Sequence, residues 1–262
     1  MSDRGQYRLG GPGLQRSRYQ SVGGLPTRSP SRFLVRNPRF PPLETAAAPP
    51  IPKTIYLAGA EKCDVPAAQV DELKRINPGW AVEVFGELDC LQYLETYWFA
   101  EHSALFKSIR SPSAKCSFWA ACVLYTHGGC FLDSSVVLRK PLQSFVMPGA
   151  DACTLGSESE KNRLDPRFIV ARPRTKLMAR AVGRLLATAG LPPGHREHDL
   201  SFTMYVSLIQ EAGARIPENS ENVYTTKVGE SVQLLGCAKR KSKKYPLKAR
   251  WRGKRVMWLR AN

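Results

Sequence analysis

The apolar positions change period along the chain, and each change marks an element. Residues 51–58, Ile-Pro-Lys-Thr-Ile-Tyr-Leu-Ala, form a compact apolar run that predicts a first strand. Val65, Val70, Leu73 and Ile76 then predict a helix over 64–76, and Asn77-Pro-Gly signals a turn. Trp80 to Phe85 alternates as a second strand, and Leu91, Leu94, Tyr97, Trp98, Leu105 and Phe106 predict one or two helices across 88–106. The strongest signal follows. Phe118, Ala121, Cys122 and Tyr125 fall three and four apart, with no polar side chain interrupting 118–125, so a buried helix is expected there. Gly128 and Gly129 stop it, because glycine takes the left-handed cap conformation at little steric cost. Cys130-Phe131-Leu132 then suits a buried strand, and Asp133 stands where that strand should end.

Further along, 152–155 and 168–171 read as strands, 176–191 and 200–212 as helices, and 232–235 and 256–259 as late strands. No internal repeat is visible. Helices alternating with strands in β-α-β-α-β order argue for an α/β fold with a mostly parallel sheet and right-handed crossovers. In such a sheet a lone carboxylate after a buried strand is expensive to hide. Asp133 is therefore expected at the open C-terminal mouth of the strands, where ligands bind in α/β folds.

Charge divides the chain of 262 residues unevenly. Its net charge of +17 is concentrated at the two ends. Residues 1–50 carry eight Arg against Asp3 and Glu44, and 239–262 carry eleven Lys or Arg and no acid, while 51–238 is neutral. Three parts are expected: a disordered basic arm over 1–50, a folded domain over 51–238 and a basic segment over 239–262. The arm is rich in Gly, Pro, Ser and Arg and has too little apolar surface to offset the entropy of ordering. Basic ends attract anionic polymers such as nucleic acid, or an anionic membrane surface, unless they are simply solvated. No stretch approaches the roughly 20 apolar residues of a membrane span, and the N-terminus has no signal-peptide core. An intracellular, cytoplasmic protein is the default, with organelle targeting by the Arg-rich N-terminus as the alternative. The seven cysteines form no CxxC pair, which argues against a zinc ribbon and fits a reducing compartment.

The ordered blocks together resemble the sugar-binding DXD glycosyltransferases of the family-32 type. Ile51-Pro-Lys-Thr-Ile-Tyr resembles the family's opening strand, and Asn77-Pro-Gly-Trp with Val82-Glu-Val-Phe resembles its second. Tyr125-Thr-His-Gly-Gly-Cys-Phe-Leu-Asp-Ser-Ser-Val, trailed by Lys140-Pro-Leu, resembles its core motif. The resemblance covers roughly 51–142. It implies a GT-A-like, Rossmann-like sheet flanked by helices and transfer of a sugar from a nucleotide-sugar donor to a glycan or other hydroxyl acceptor. Retention of anomeric configuration and Mn²⁺ or Mg²⁺ are implied as well. A hard cation held by carboxylates neutralises a diphosphate leaving group, and Asp-x-Asp at a strand end aims both acids one way.

The chain departs from that pattern at three positions. Ser135 stands for the second Asp, Ser117 for the helix Asp and Ala120 for the helix Arg. Asp133 is the candidate catalytic and metal-binding residue, with Ser135 as a hydroxyl ligand and a weak metal site expected. Ser117, Gly128 and Gly129 are donor-site candidates, the glycines serving either the ligand or the turn that presents Asp133. His195, His198 and Asp199 form a polar cluster in which His198 is a further candidate metal ligand and Asp199 a candidate helix cap. Three functions stand open: an active glycosyltransferase, a catalytically degenerate scaffold on the same fold, and a polyanion or nucleic-acid binder acting through its basic ends, where Tyr245 and Trp251 interleave the positive run.

Overall fold

The protein is described here by a computed structural model covering residues 49–157, 163–188, 199–213, 221–239, 247–252 and 254–259. The basic arm up to residue 48 lies outside the described residues, as do His195 and His198. The first half runs β1 (Thr54–Ala58), α1 (Ala67–Ile76), β2 (Ala81–Phe85), α2 (Glu87–Tyr97), α3 (Ala100–Ser108), α4 (Pro112–His127) and β3 (Gly129–Asp133). The second half runs β4 (Val136–Leu138), β5 (Ala152–Gly156), β6 (Leu164–Ala171), α5 (Lys176–Ala187), α6 (Leu200–Ala212), β7 (Asn222–Thr225), β8 (Ser231–Lys239), β9 (Leu247–Trp251) and β10 (Lys254–Leu259).

The fold is α/β, with one sheet ordered β2-β1-β3-β6-β5-β8-β9-β10-β4 and β7 paired to β8. The alternation of helix and strand that predicts parallel pairing holds through the first half, where β1 lies parallel between β2 and β3. The second half makes the sheet mixed. β6 runs antiparallel to both β3 and β5, β5 and β8 are parallel, and β9, β10 and β4 close the order with antiparallel pairs. β5–β6, β7–β8, β8–β9 and β9–β10 join successive strands by links too short for a crossover helix, whereas β3–β6 and β10–β4 pair strands distant in sequence.

Strand alternation divides the interior into two cores. Tyr56, Phe131, Ile169 and Leu234 face α2 to α6, and Trp119 is fully buried among them. Ile55, Leu57, Cys130, Leu132, Val170 and Leu235 face the other way, toward α1 and the inner side of β4, β9 and β10. β3 is thus buried on both faces, as its unbroken apolar run predicts.

The boundary expected at residue 238 is corrected by the coordinates. β9 and β10 belong to the sheet, because Ala249, Val256, Met257 and Leu259 are buried in the second core. The abundance of Lys and Arg around these four positions hides a core-forming alternation. No described helix is long and apolar enough to cross a membrane.

α4 begins at Ser111, whose hydroxyl accepts the Ala114 N–H, and Pro112 fills its first turn. It ends at Gly128 (φ 70°), followed by Gly129 (φ 105°). A Cβ on Gly128 would lie 2.5 Å from Pro173 Cδ and 2.7 Å from its backbone nitrogen. One on Gly129 would lie 2.7 Å from the Thr54 carbonyl oxygen. Gly79 (φ 79°) has open space around the same position. Gly79→Ala is therefore expected to cost about 1 kcal/mol from backbone strain alone, and Gly128→Ala about 3 kcal/mol or more because contact adds to strain. Denaturant unfolding separates the two; equal losses would show that the crowding at Pro173 is relieved without cost.

Candidate functional site at the mouth of the parallel strands

The C-terminal ends of β1, β2 and β3 lie side by side, with Ala58 paired to both Phe85 and Asp133. Helices start from this edge. α2 begins directly after β2, and its Gly86 N–H donates to Asp89 Oδ2 at 2.7 Å. Lys115 near the start of α4 contacts Glu87 Oε1 at the start of α2, and Lys62 in the loop after β1 pairs with Asp89 at 2.9 Å. These ion pairs tie the loops around the mouth to one another.

Asp133 is half-buried at the end of β3. Its Oδ1 accepts the Ser135 N–H at 2.8 Å, a turn that fixes the carboxylate. Ser135 is 8% exposed, and its Oγ has no hydrogen-bond partner among the described residues. A buried hydroxyl without a partner costs about 1–3 kcal/mol, and at this position a ligand would satisfy it. Asp133 and Ser135 are thus brought together as the sequence expects.

Ser117 is half-buried in the first half of α4, next to Cys116. The Cys116 thiol is pushed up to about 11, first by burial and then by the charges of Asp133 and Glu87, so this turn of the helix lies within the field of the strand end. Ala120 is fully buried in the helix-side core. Gly128 and Gly129 are not part of the mouth. They sit at the opposite end of β3, about 13 Å from Asp133 at the usual strand rise. Their expected contact with a donor is corrected to a turn role, because Pro173, Pro52, Thr54 and Tyr56 fill the space around them. His198 lies outside the described residues. Asp199 caps α6 by accepting the Ser201 N–H at 2.8 Å and pairs with Arg163.

Sequence reasoning missed Arg167. β6 runs antiparallel to β3 with Leu132 opposite Phe168, and Arg167 lies just beyond that pair, within the field of the Asp133 carboxylate. Arg167 makes a two-oxygen contact with Asp165, Nε to Oδ1 at 2.9 Å and an outer nitrogen to Oδ2 at 2.6 Å. Burial works against its positive charge, but the bonds to Asp165 and the charges of Asp165 and Asp133 outweigh burial and hold the guanidinium more firmly protonated than usual. Nothing local in Asp165-Pro-Arg-Phe announces this. The signal is an antiparallel pairing between segments more than thirty residues apart.

The resemblance implies a divalent cation. The residues present fit one only in part: Asp133 Oδ2 and Ser135 Oγ are two hard oxygens at one turn, and serine hydroxyls do ligate Mg²⁺ beside nucleotide phosphates. Among the described residues no group of three His, Cys, Asp or Glu gathers to hold a metal without help. The remaining ligands would have to come from the diphosphate and water.

No protein-family model matches the chain, and none of the curated proteins compared with it matches. Among solved structures, one described as PaToxG Glycosyltransferase is similar over 63% of this chain and 72% of its own, at 11% identity and a TM-score of 0.49.

Ser135→Asp tests the mouth directly. Two carboxylates at one turn repel, so the variant without metal is expected to lose about 1–3 kcal/mol. Mn²⁺ with a nucleoside diphosphate should raise its melting temperature by more than it raises the wild type's. A variant indifferent to Mn²⁺ would place any cation elsewhere.

Proposed function

We propose that the chain transfers a sugar from a nucleotide-sugar donor to a hydroxyl acceptor at the mouth formed by β1, β2 and β3. The observation that carries this reading is the Asp133–Ser135 turn, a fixed carboxylate beside a buried hydroxyl without a partner among the described residues, at the end of a parallel strand. The sequence blocks over 51–142 supply the substrate class. A degenerate scaffold remains the alternative, favoured by Ser117, Ala120 and Ser135 standing where the family has charged groups.

In the proposed reaction the bond between the sugar's anomeric carbon and the diphosphate breaks, and a bond from that carbon to the acceptor oxygen forms. The acceptor's proton leaves with the diphosphate or to water. A divalent cation, when bound, neutralises charge developing on the leaving group. The chain's own residues orient the donor. Asp133 is held by the Ser135 N–H, so its carboxylate is fixed before the ligand arrives and little reorganisation is needed. Ser135 Oγ, buried at the same turn, offers a short polar contact. Arg167 lends positive charge beside the diphosphate, and Asp165 holds that guanidinium in place. Configuration at the anomeric carbon is retained.

A panel of nucleotide-sugars with Mn²⁺, read by release of nucleoside diphosphate, tests the proposal. Turnover is expected, with Asp133→Ala lowering it on the order of a hundredfold or more while leaving the melting temperature within about 2 °C of the wild type. Turnover untouched by Asp133→Ala would remove the mouth from the chemistry. No turnover and no donor binding would leave the scaffold reading.

A further inference from the structure

Residues 231–262 contain eleven Lys or Arg and not one Asp or Glu. β4, Val-Val-Leu, adds no acid. The sheet order therefore sets four neighbouring strands, β8-β9-β10-β4, side by side without a carboxylate among them. Ala249 on β9 and Met257 on β10 face the second core and are opposite one another. Alternation turns Lys248 and Arg250, both half-buried, to the outer face. Register then sets Arg250 directly opposite Arg255, which is exposed. Arg252 and Lys254 are exposed at the hairpin. Lys140, also exposed, follows Arg139, whose N–H donates to the Val256 carbonyl beside the same strand.

Like charges directly opposite across a sheet destabilise it. Arg250 has Glu221 as an ion-pair partner only at 3.8 Å, too long to offset a facing guanidinium. The paired backbone keeps the two residues opposite one another. An external anion would relieve the repulsion.

We propose that the outer face of β9 and β10 docks the protein on an anionic lipid surface. Charge complementarity with anionic headgroups carries the choice of partner. β9 and β10 are flanked by β8 and β4, so this stretch of the ten-stranded sheet is four strands wide, about 14 Å between its outermost strands. A DNA major groove about 12 Å wide admits two strands, not four. A layer of anionic headgroups asks only for several cations displayed together. β4 leaves the Asp133–Ser135 turn and pairs with β10, so docking by this face would hold the mouth near the surface. The proposal does not depend on sugar transfer, and vesicle binding requires no donor.

The test is co-sedimentation of the full chain with phosphatidylcholine vesicles containing about 30% phosphatidylserine or none. Binding is expected only to the anionic vesicles and should weaken as salt rises. The triple variant Lys248→Gln, Arg250→Gln, Arg255→Gln should bind on the order of a hundredfold more weakly, while Lys248→Arg, Arg250→Lys, Arg255→Lys should bind like the wild type. The glutamine variant should also melt no lower than the wild type, since a cross-strand repulsion has been removed. If it fails to fold, exposed Arg255→Gln alone should still weaken binding by about fivefold. Anionic-vesicle binding unchanged by these substitutions would overturn the proposal. So would displacement of the chain from vesicles by single-stranded RNA or duplex DNA at equal phosphate concentration, which would assign the face to nucleic acid.

Discussion

The burial of β3 on both faces is the constraint from which the rest follows. Cys130 and Leu132 face one core and Phe131 the other, all at most 1% exposed. A strand enclosed in this way can carry no charge along its length, so the first carboxylate in the segment has to stand where enclosure ends. Gly128 and Gly129 set where the strand begins, and five residues later the chain emerges at the open edge of the parallel block. The position of Asp133 is therefore a consequence of packing before it is a matter of chemistry. Its orientation is local: the Ser135 amide holds one oxygen, and Ser135 is itself drawn into the interior as the chain turns into β4.

The second half of the chain completes the mouth from a distance. β6 returns antiparallel to β3 and delivers Arg167 and Asp165 to the end where Asp133 emerges. β4, only two residues after Asp133, is the last strand in the sheet order, joined there by β10. The sheet thus comes back toward its own centre in sequence, and the basic C-terminal strands share a hydrogen-bonded frame with the site. A substitution that loosens the pairing of β10 with β4 acts on the Asp133–Ser135 turn through backbone, without touching either side chain.

Much of this was legible because the residues concerned interact with near neighbours. The helix through Phe118 and Tyr125, its glycine stop and the Cys130–Leu132 strand announce themselves by period and composition, and the structure has them as α4 and β3. What was hidden depends on distant pairing. β9 buries only Ala249 fully among its described side chains, and Lys248 and Arg250 on either side give it the look of a solvated tail. β4 is three residues long, too short for a period to show. Arg167 gains its place only when β6 pairs antiparallel with β3, which no local pattern encodes. Gly128 and Gly129 read equally well as ligand cradle or turn from sequence; the proline ring of Pro173 and the carbonyl of Thr54 decide for the turn.

The central claim is that the end of β3, with the β6 residues beside it, forms one ligand-binding surface. Hydrogen–deuterium exchange of the full chain, with and without Mn²⁺ and uridine or guanosine diphosphate, tests it most directly. The account predicts slowed exchange at two separated segments together, residues 133–136 and residues 165–168. A diphosphate that binds while both segments exchange at their unliganded rates would contradict it.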